Sequence, residues 1–367
     1  MTLAPRPGIL EVAAYVGGEA GLAGHNRVIR LASNESALGP SPRAIEAYRA
    51  LASEIERYPD GGAVELRKAL ARQFRIDADR IVCGAGSDEL IALLIRAYAG
   101  PGDEVLHSRH GFLMYAIGAK TAGATPVAAP ERDLTADIDA LLARVTPRTR
   151  IVFLANPNNP TGSCLPAGAV ERLRRELPAN VLLAIDAAYA EYVTRPDYEP
   201  GIKLVESFDN VVMLRTFSKI YGLAALRVGW AYCPPAVADV LNRVRGPFNV
   251  SAPAQAAAAA ALEDRAHTER VRLHNERWLP WFRAELQKLG IVSFPSYGNF
   301  VLVRFTDADA ALAFLNGRGI IPRRMAAYGL PDCLRITIGT GEEMEAVVAA
   351  LAEFARAGGA PRSAEAG

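Results

Sequence analysis

The chain has 367 residues, half of them hydrophobic and 22% charged, with 41 Lys+Arg against 40 Asp+Glu for a formal net charge of +1. That balance excludes proteins whose affinity comes from neutralising phosphate or membrane charge, because those need a basic surplus or a basic face. The apolar fraction excludes disorder over most of the length and predicts roughly two domains.

Residues 1–40 mix Pro, Gly and apolar residues without a sustained period and read as an N-terminal arm on a larger body. The start, with two prolines and no unbroken apolar stretch, does not look like a signal peptide, and no segment nears the roughly 20 apolar residues of a membrane span. Ser41 followed by Pro42 opens a helix, and Gly61-Gly62 precedes a second over 63–74. Short apolar runs at 80–83, 104–107, 125–128, 150–154, 181–185, 211–214 and 228–232 read as strands. Several lack polar alternation, as strands covered on both faces do. Helical segments at 88–99, 112–122, 135–145 and 166–177 lie between them, so residues 41–255 are expected to form a large α/β domain, three-layered around a mostly parallel seven-stranded sheet. The alanine run at 256–261 and the Arg/Glu-rich stretch to 289 suit one long helix or a pair kinked at Pro280. Strand-like 300–305 and 334–338, with helices at 307–317 and 342–356, make residues 256–356 a small α+β domain. The Gly/Ala/Ser-rich residues 357–367 read as a disordered tail.

Four segments carry chemistry. Gly84-Ala85-Gly86-Ser87-Asp88-Glu89 joins a strand to a helix. It is either an anion nest made by helix N-terminal N–H groups or a plain turn, and Glu89 at the third glycine position rules out a dinucleotide fingerprint. Pro157-Asn158-Asn159-Pro160-Thr161-Gly162 follows a strand at the end where open α/β sheets bind ligands. Asp186 ends another strand, as a helix cap or as a carboxylate aimed into the crevice, with Tyr189 three residues on. The fourth is Thr216-Phe217-Ser218-Lys219, with Arg227 eight residues beyond the lysine. Lys219 is one of only five lysines in the chain, and it alone sits at a strand end in a Ser/Thr/Gly-rich turn. Together these supply what pyridoxal phosphate needs: a phosphate nest, a carboxylate for the pyridine nitrogen, amide and phenol donors, and an amine for the Schiff base. The cysteines, Cys83, Cys164, Cys233 and Cys333, are single and scattered, which reads as reduced thiols in a cytoplasmic protein. His107 and His110 have no third ligand nearby, so no metal is expected.

These segments, in this order and together with Leu31-Ala32-Ser33-Asn34-Glu35, Arg57-Tyr58-Pro59-Asp60-Gly61, Arg245-Gly246-Pro247-Phe248-Asn249 and Leu334-Arg335-Ile336-Thr337-Ile338-Gly339, resemble the fold-type-I pyridoxal-phosphate aminotransferases, and specifically the histidinol-phosphate aminotransferase family. The resemblance implies that Lys219 is the Schiff-base lysine and proton shuttle, that Asp186 pairs with the pyridinium, and that Tyr189 and Asn159 donate to the ring oxygen. It places Gly86, Ser87, Asp88, Thr216 or Ser218, and Arg227 at the phosphate, and Phe112 against the ring face. Tyr58 would reach the phosphate of a neighbouring subunit, which implies a homodimer with shared sites. Arg335 would grip the carboxylate of the amino acid, with L-glutamate and 2-oxoglutarate as donor and acceptor. Arg323, with Arg324 beside it, would bind the substrate phosphate unless it is a solvated surface charge. Tyr15, Asn34 and Asn249 are further candidates for the substrate pocket.

The chain departs from the family pattern at Asp186-Ala187-Ala188-Tyr189, where the family carries a second carboxylate, and at Ser36-Ala37 and His110-Gly111. The last two bear on specificity more than on reaction type. An aromatic-amino-acid aminotransferase or a dual-specificity enzyme is the near alternative, and a threonine-phosphate decarboxylase-like lyase the more distant one. A cofactor-binding regulator would need a nucleic-acid-binding domain for which the pattern, under way by residue 31, leaves no room.

Overall fold

The computed structural model describes residues 5–6, 8–12, 21–22 and 28–359. Its large sheet has strands β1 (Ile81–Gly84), β2 (Glu104–Ser108), β3 (Thr125–Ala129), β4 (Thr149–Ala155), β5 (Leu182–Asp186), β6 (Val211–Thr216) and β7 (Gly229–Tyr232) in the order β1-β7-β6-β5-β4-β2-β3. Only β7 runs antiparallel to its neighbours. The unbroken apolar runs have a physical cause here, because successive residues feed two different cores. Val152, Leu154, Leu183 and Ile185 face one core, while Ile151, Phe153, Leu182 and Ala184 face the other. Helices α1 (Pro42–Ala50) and α2 (Val64–Phe74) contribute to the first core. Helices α3 (Ser87–Tyr98), α4 (Leu113–Ala122) and α5 (Pro235–Val244) contribute to the second.

Four expectations need correction. The helix expected over 135–145 is Ile138–Ala143, because Asp133 and Leu134 both take left-handed φ values (49° and 58°) and turn a two-residue hairpin between Glu131–Arg132 and Thr135–Ala136. The long helix is a pair, α6 (Ala252–Glu263) and α7 (Arg265–Lys288), broken at Asp264 rather than Pro280. The Asp264 carboxylate caps α7 through the His267 N–H at 3.1 Å and accepts from the Ser41 hydroxyl at 2.6 Å, whereas α7 runs on through Pro280. The domain divide expected at 255/256 therefore falls inside α6, whose buried Ala254, Ala257, Ala258 and Ala261 pack on the large-domain core against α1 and α2. Residues 357–359, expected in the tail, belong instead to a π-helical turn, Ala355–Gly359; residues 360–367 lie outside the described residues.

The small domain folds a four-stranded antiparallel sheet, β8 (Val292–Ser293), β9 (Phe300–Arg304), β10 (Arg323–Arg324) and β11 (Cys333–Thr337), in the order β8-β9-β11-β10. Its own core gathers Phe282, Leu286, Val301, Val303, Leu334 and Ile336. The end of the N-terminal arm is stitched to it, for Ile29–Arg30 pair in parallel with Ile320–Ile321 and Leu31 joins that core. No described helix is long and apolar enough to cross a membrane.

Candidate active site

The carboxyl ends of β4, β5 and β6, the turn after β1, residues 32–34 and the small domain enclose one cavity. Such a crevice is where an open α/β sheet can aim side chains and helix N-termini at a ligand without breaking its ladder.

The turn after β1 is shaped to hold an anion. Gly86 has φ 81° and a side chain there would run into the Arg227 guanidinium, while a Cβ on Gly229 would come within 2.5 Å of the Ser87 nitrogen. Helix α3 starts at Ser87, so its first N–H groups have no partner within the helix, and Ser87 and Asp88 line the cavity. Arg227, itself left-handed at φ 51°, brackets the turn with hydrogen bonds to Asp88 (3.1 Å) and the Ser218 hydroxyl (3.2 Å), and the Thr216 hydroxyl accepts from the Ser218 N–H.

Asp186 is buried at the end of β5. Its Oδ2 accepts from the Tyr115 hydroxyl at 2.7 Å and its Oδ1 from the Ala188 N–H at 3.2 Å. Burial pushes its carboxyl up to about 6, while those two donors hold it down. Lys219 follows β6 and donates to the Ser33 carbonyl at 3.0 Å, with its Nζ 5.8 Å from the Tyr189 ring centre. Burial and the nearby Arg335 guanidinium push the amine down to about 8, partly offset by Asp88 and Glu35. The Tyr189 hydroxyl accepts from the Asn34 amide at 2.8 Å, and burial pushes its phenol well up.

The opposite wall is cationic. Arg335 on β11 is buried, donates to the Ala32 carbonyl at 2.6 Å and to the Asn159 side chain, and lies over the Phe300 ring. Arg323 on β10 is its direct cross-strand neighbour and lines the same cavity. Like charges opposite each other destabilise a sheet. Two arginines in that register, both facing a cavity, fit a site that receives negative charge. Arg324, by contrast, points away into an exposed ion pair with Asp309.

The cavity thus brings together Ser87, Asp88, Phe112, Asn159, Asp186 and Tyr189 with Thr216, Ser218, Lys219, Arg227, Arg323, Arg335 and Asn34. Gly86 shapes the turn beside them. Two expected residues are not part of it, and a third cannot be placed among the described residues. Tyr58 is 82% exposed and stacks on Phe248 at 4.6 Å on the outer surface. Asn249 sits behind the anion turn because its amide is engaged by the Glu89 carboxylate (2.7 Å) and the Cys83 carbonyl (3.2 Å); Glu89 in turn accepts from the Ala85 N–H at 2.6 Å. Tyr15 lies outside the described residues. The sequence reading missed the Ser33 carbonyl, which has no side-chain signal, and Tyr328, which a short 3-10 turn brings to the cavity. It also missed Tyr115, concealed in an apolar helical stretch three residues after Phe112.

The model of the family "Aminotransferase class I and II" matches residues 26–351. A histidinol-phosphate aminotransferase of Paramagnetospirillum magneticum is 64% identical over 356 residues, covering 96% of this chain and 98% of that one. Another from Rhodospirillum centenum is 62% identical over 354 residues, covering 95% and 98%. Among solved structures, a histidinol-phosphate aminotransferase of Sinorhizobium meliloti in complex with pyridoxal 5'-phosphate superposes with a TM-score of 0.89 at 32% identity, covering 97% of this chain and 99% of that chain.

Proposed function

The chain belongs to the class I and II aminotransferases, and on that premise we propose that it is a pyridoxal-phosphate-dependent transaminase of histidinol phosphate, converting it with 2-oxoglutarate to imidazole-acetol phosphate and L-glutamate. The observation that carries the substrate is the cross-strand pair Arg323 and Arg335 facing the cavity that holds Lys219. The reaction takes a phosphate in one half and a dicarboxylate in the other, and two adjacent guanidinium groups serve both. A single arginine would suffice for a neutral aromatic amino acid.

The residues fit the cofactor. The Gly86 turn, the α3 N-terminus, Ser218 and Arg227 would hold a phosphate; Asp186 would meet the ring nitrogen, Asn159 and Tyr189 the ring oxygen, and Phe112 would cover a face. Bound pyridoxal phosphate supplies an electrophilic carbonyl and a ring that withdraws electrons from the reacting carbon. Asp186, charged above about pH 6, keeps the ring nitrogen protonated, and the depressed Lys219 amine is a nucleophile and then a base near neutral pH. Its bond to the carbonyl of Ser33, which also lines the cavity, fixes where Nζ sits. Arg335, held by Ala32 and Asn159, offers its fork to the carboxylate, and the Tyr189 hydroxyl is oriented by Asn34.

The protein acts in the cytoplasm, which its four buried, unpaired thiols suit, and as a homodimer. Leu38, Ile45, Tyr48, Ile55, Tyr58 and Phe248 are exposed apolar residues, and a second copy covers them. Tyr58 there reaches the neighbour's phosphate. Mixing inactive Lys219→Ala with Tyr58→Ala protein restores one complete site per mixed dimer, and a mixture no more active than its components refutes shared sites.

Steady-state kinetics test the substrate. Arg323→Ala lowers kcat/KM for histidinol phosphate about 10- to 100-fold and leaves phenylalanine within about threefold. Equal losses on both, or a wild-type preference for phenylalanine, favour the aromatic aminotransferase instead.

A further inference from the structure

Resting on the cofactor reading above, we infer that Tyr115 is a positioning residue for the cofactor ring: its phenol holds the Asp186 carboxylate charged and turned toward the place of the ring nitrogen. The Tyr115 side chain is fully buried, stacked on Phe153 at 4.6 Å with planes 5° apart and edge-on to Phe112 at 5.9 Å and 86°. With the ring clamped on both sides, the hydroxyl has one place to go, and Asp186 Oδ2 lies there at 2.7 Å. Main chain fixes the other carboxylate oxygen through Ala188, so the plane of the carboxylate is set before any ligand arrives.

The chemical type of the donor matters. A carboxylate as buried as that of Asp186 loses its charge unless donors replace water. A cationic donor would restore the charge but would also satisfy it, leaving less for a positively charged ring nitrogen. A phenol supplies a hydrogen bond and no charge. It also keeps its proton, for burial and the adjacent Asp186 push it well above the usual phenol range. The other titratable groups facing the pair are Asp88 from α3, Lys219 after β6, His107 on β2, with its ring 6.3 Å from that of Tyr115, and Tyr328 from the small domain. Phe112, which covers the ring face, also touches Tyr115. The start of α4 therefore sets the height of the ring and the direction of its nitrogen partner together.

The test is the affinity of the apoprotein for pyridoxal phosphate, followed by fluorescence titration between about pH 5.5 and 8.5. Tyr115→Phe keeps the ring and removes one hydroxyl. It is expected to bind about tenfold more weakly at pH 7, and its affinity should start to fall about one pH unit higher than in the unsubstituted protein. Phe153→Leu loosens the stack and leaves the hydroxyl; it weakens binding by one factor at every pH. Replacing Tyr115 with a ring-fluorinated tyrosine, a stronger donor of nearly the same shape, moves the fall to lower pH and keeps the test open should Tyr115→Phe not fold. A Tyr115→Phe curve that superimposes on the unsubstituted one, or is lowered equally at all pH, overturns the inference. An apoprotein that takes up no pyridoxal phosphate overturns the cofactor reading itself.

Discussion

The wall of the cavity supplied by the large domain rests on the ends of strands covered on both faces, whereas the wall supplied by residues 32–34 and the small domain rests, apart from Arg335 on the buried five-residue β11, on short strands and turns. Asp186 and Thr216 are the last residues of β5 and β6, five- and six-residue strands that are buried throughout. Arg323 stands on a two-residue strand, Tyr328 in a three-residue turn, and Asn34 is held in a left-handed conformation at φ 55° by its bond to Tyr189 and its contacts with Thr337. The first wall is locked by the sheet and can hold the reacting groups to a fraction of an ångström, which general acid–base work requires. The second is held by individual hydrogen bonds, so it can change its grip between a phosphate and a carboxylate. Chemistry and choice of substrate are thus assigned to parts of different stiffness.

The sharpest way to break this comparison is Lys219→Ala. Loss of the nucleophile and proton carrier should lower transamination by at least about 1,000-fold and abolish the visible absorption of the bound cofactor, while leaving the fold intact. Steady-state turnover retained in that variant would remove the reactive role from the rigid wall. Next comes Arg335→Ala, which takes a charge-assisted fork from the one well-anchored strand of the opposite wall and should cut kcat/KM for glutamate about 100-fold, chiefly through KM. A fall confined to kcat would mean that Arg335 belongs to the reacting machinery after all.

A smaller effect separates the walls by pH. The amine attacks only when uncharged, and a Lys219 held near 8 goes from about one-tenth to one-half uncharged between pH 7 and pH 8. Stopped-flow capture of pyridoxal phosphate by the apoprotein should therefore speed up about fivefold over that unit. A flat profile would show that the amine is not the titrating group. Least of all, Asn249→Ala removes one bond to Glu89 behind the anion turn and should weaken cofactor affinity about threefold without changing KM for either substrate. A change in substrate KM would return Asn249 to the pocket, where its sequence neighbourhood had suggested it.

The seven strands of the large sheet were legible because each contains a short apolar run, several of them without polar alternation, and the reacting side chains were legible because they sit where those runs stop. What escaped the sequence lies elsewhere. Asp264 breaks the long helix by capping it from outside, and a lone aspartate after an alanine run gives less warning than Pro280, which the helix accommodates. The turn at Asp133-Leu134 carries no glycine to mark its left-handed residues. Tyr115 looks like one more apolar residue of α4 until the fold delivers Asp186 to its hydroxyl across 71 positions of sequence. Ser33 acts through its main chain, which no residue type advertises. Side chains at strand ends can be read from pattern, but bonds made to backbone or across domains need the fold.

The short parallel pairing of Ile29–Arg30 with Ile320–Ile321 has a mechanical meaning. Leu31 is bound to the small domain on both sides of its main chain, donating to the Ile321 carbonyl and accepting from the Thr337 N–H, each at 2.9 Å. Two residues later, the Ser33 carbonyl receives the Lys219 amine. Two residues of chain span at most about 7 Å and cannot stretch. The small domain is therefore leashed to the reactive nitrogen, and a rotation of more than a few ångströms at this point carries the Ser33 carbonyl away with it. Among the described residues, Lys219 is thus the one lysine of the five whose hydrogen-bond partner registers where the other domain stands.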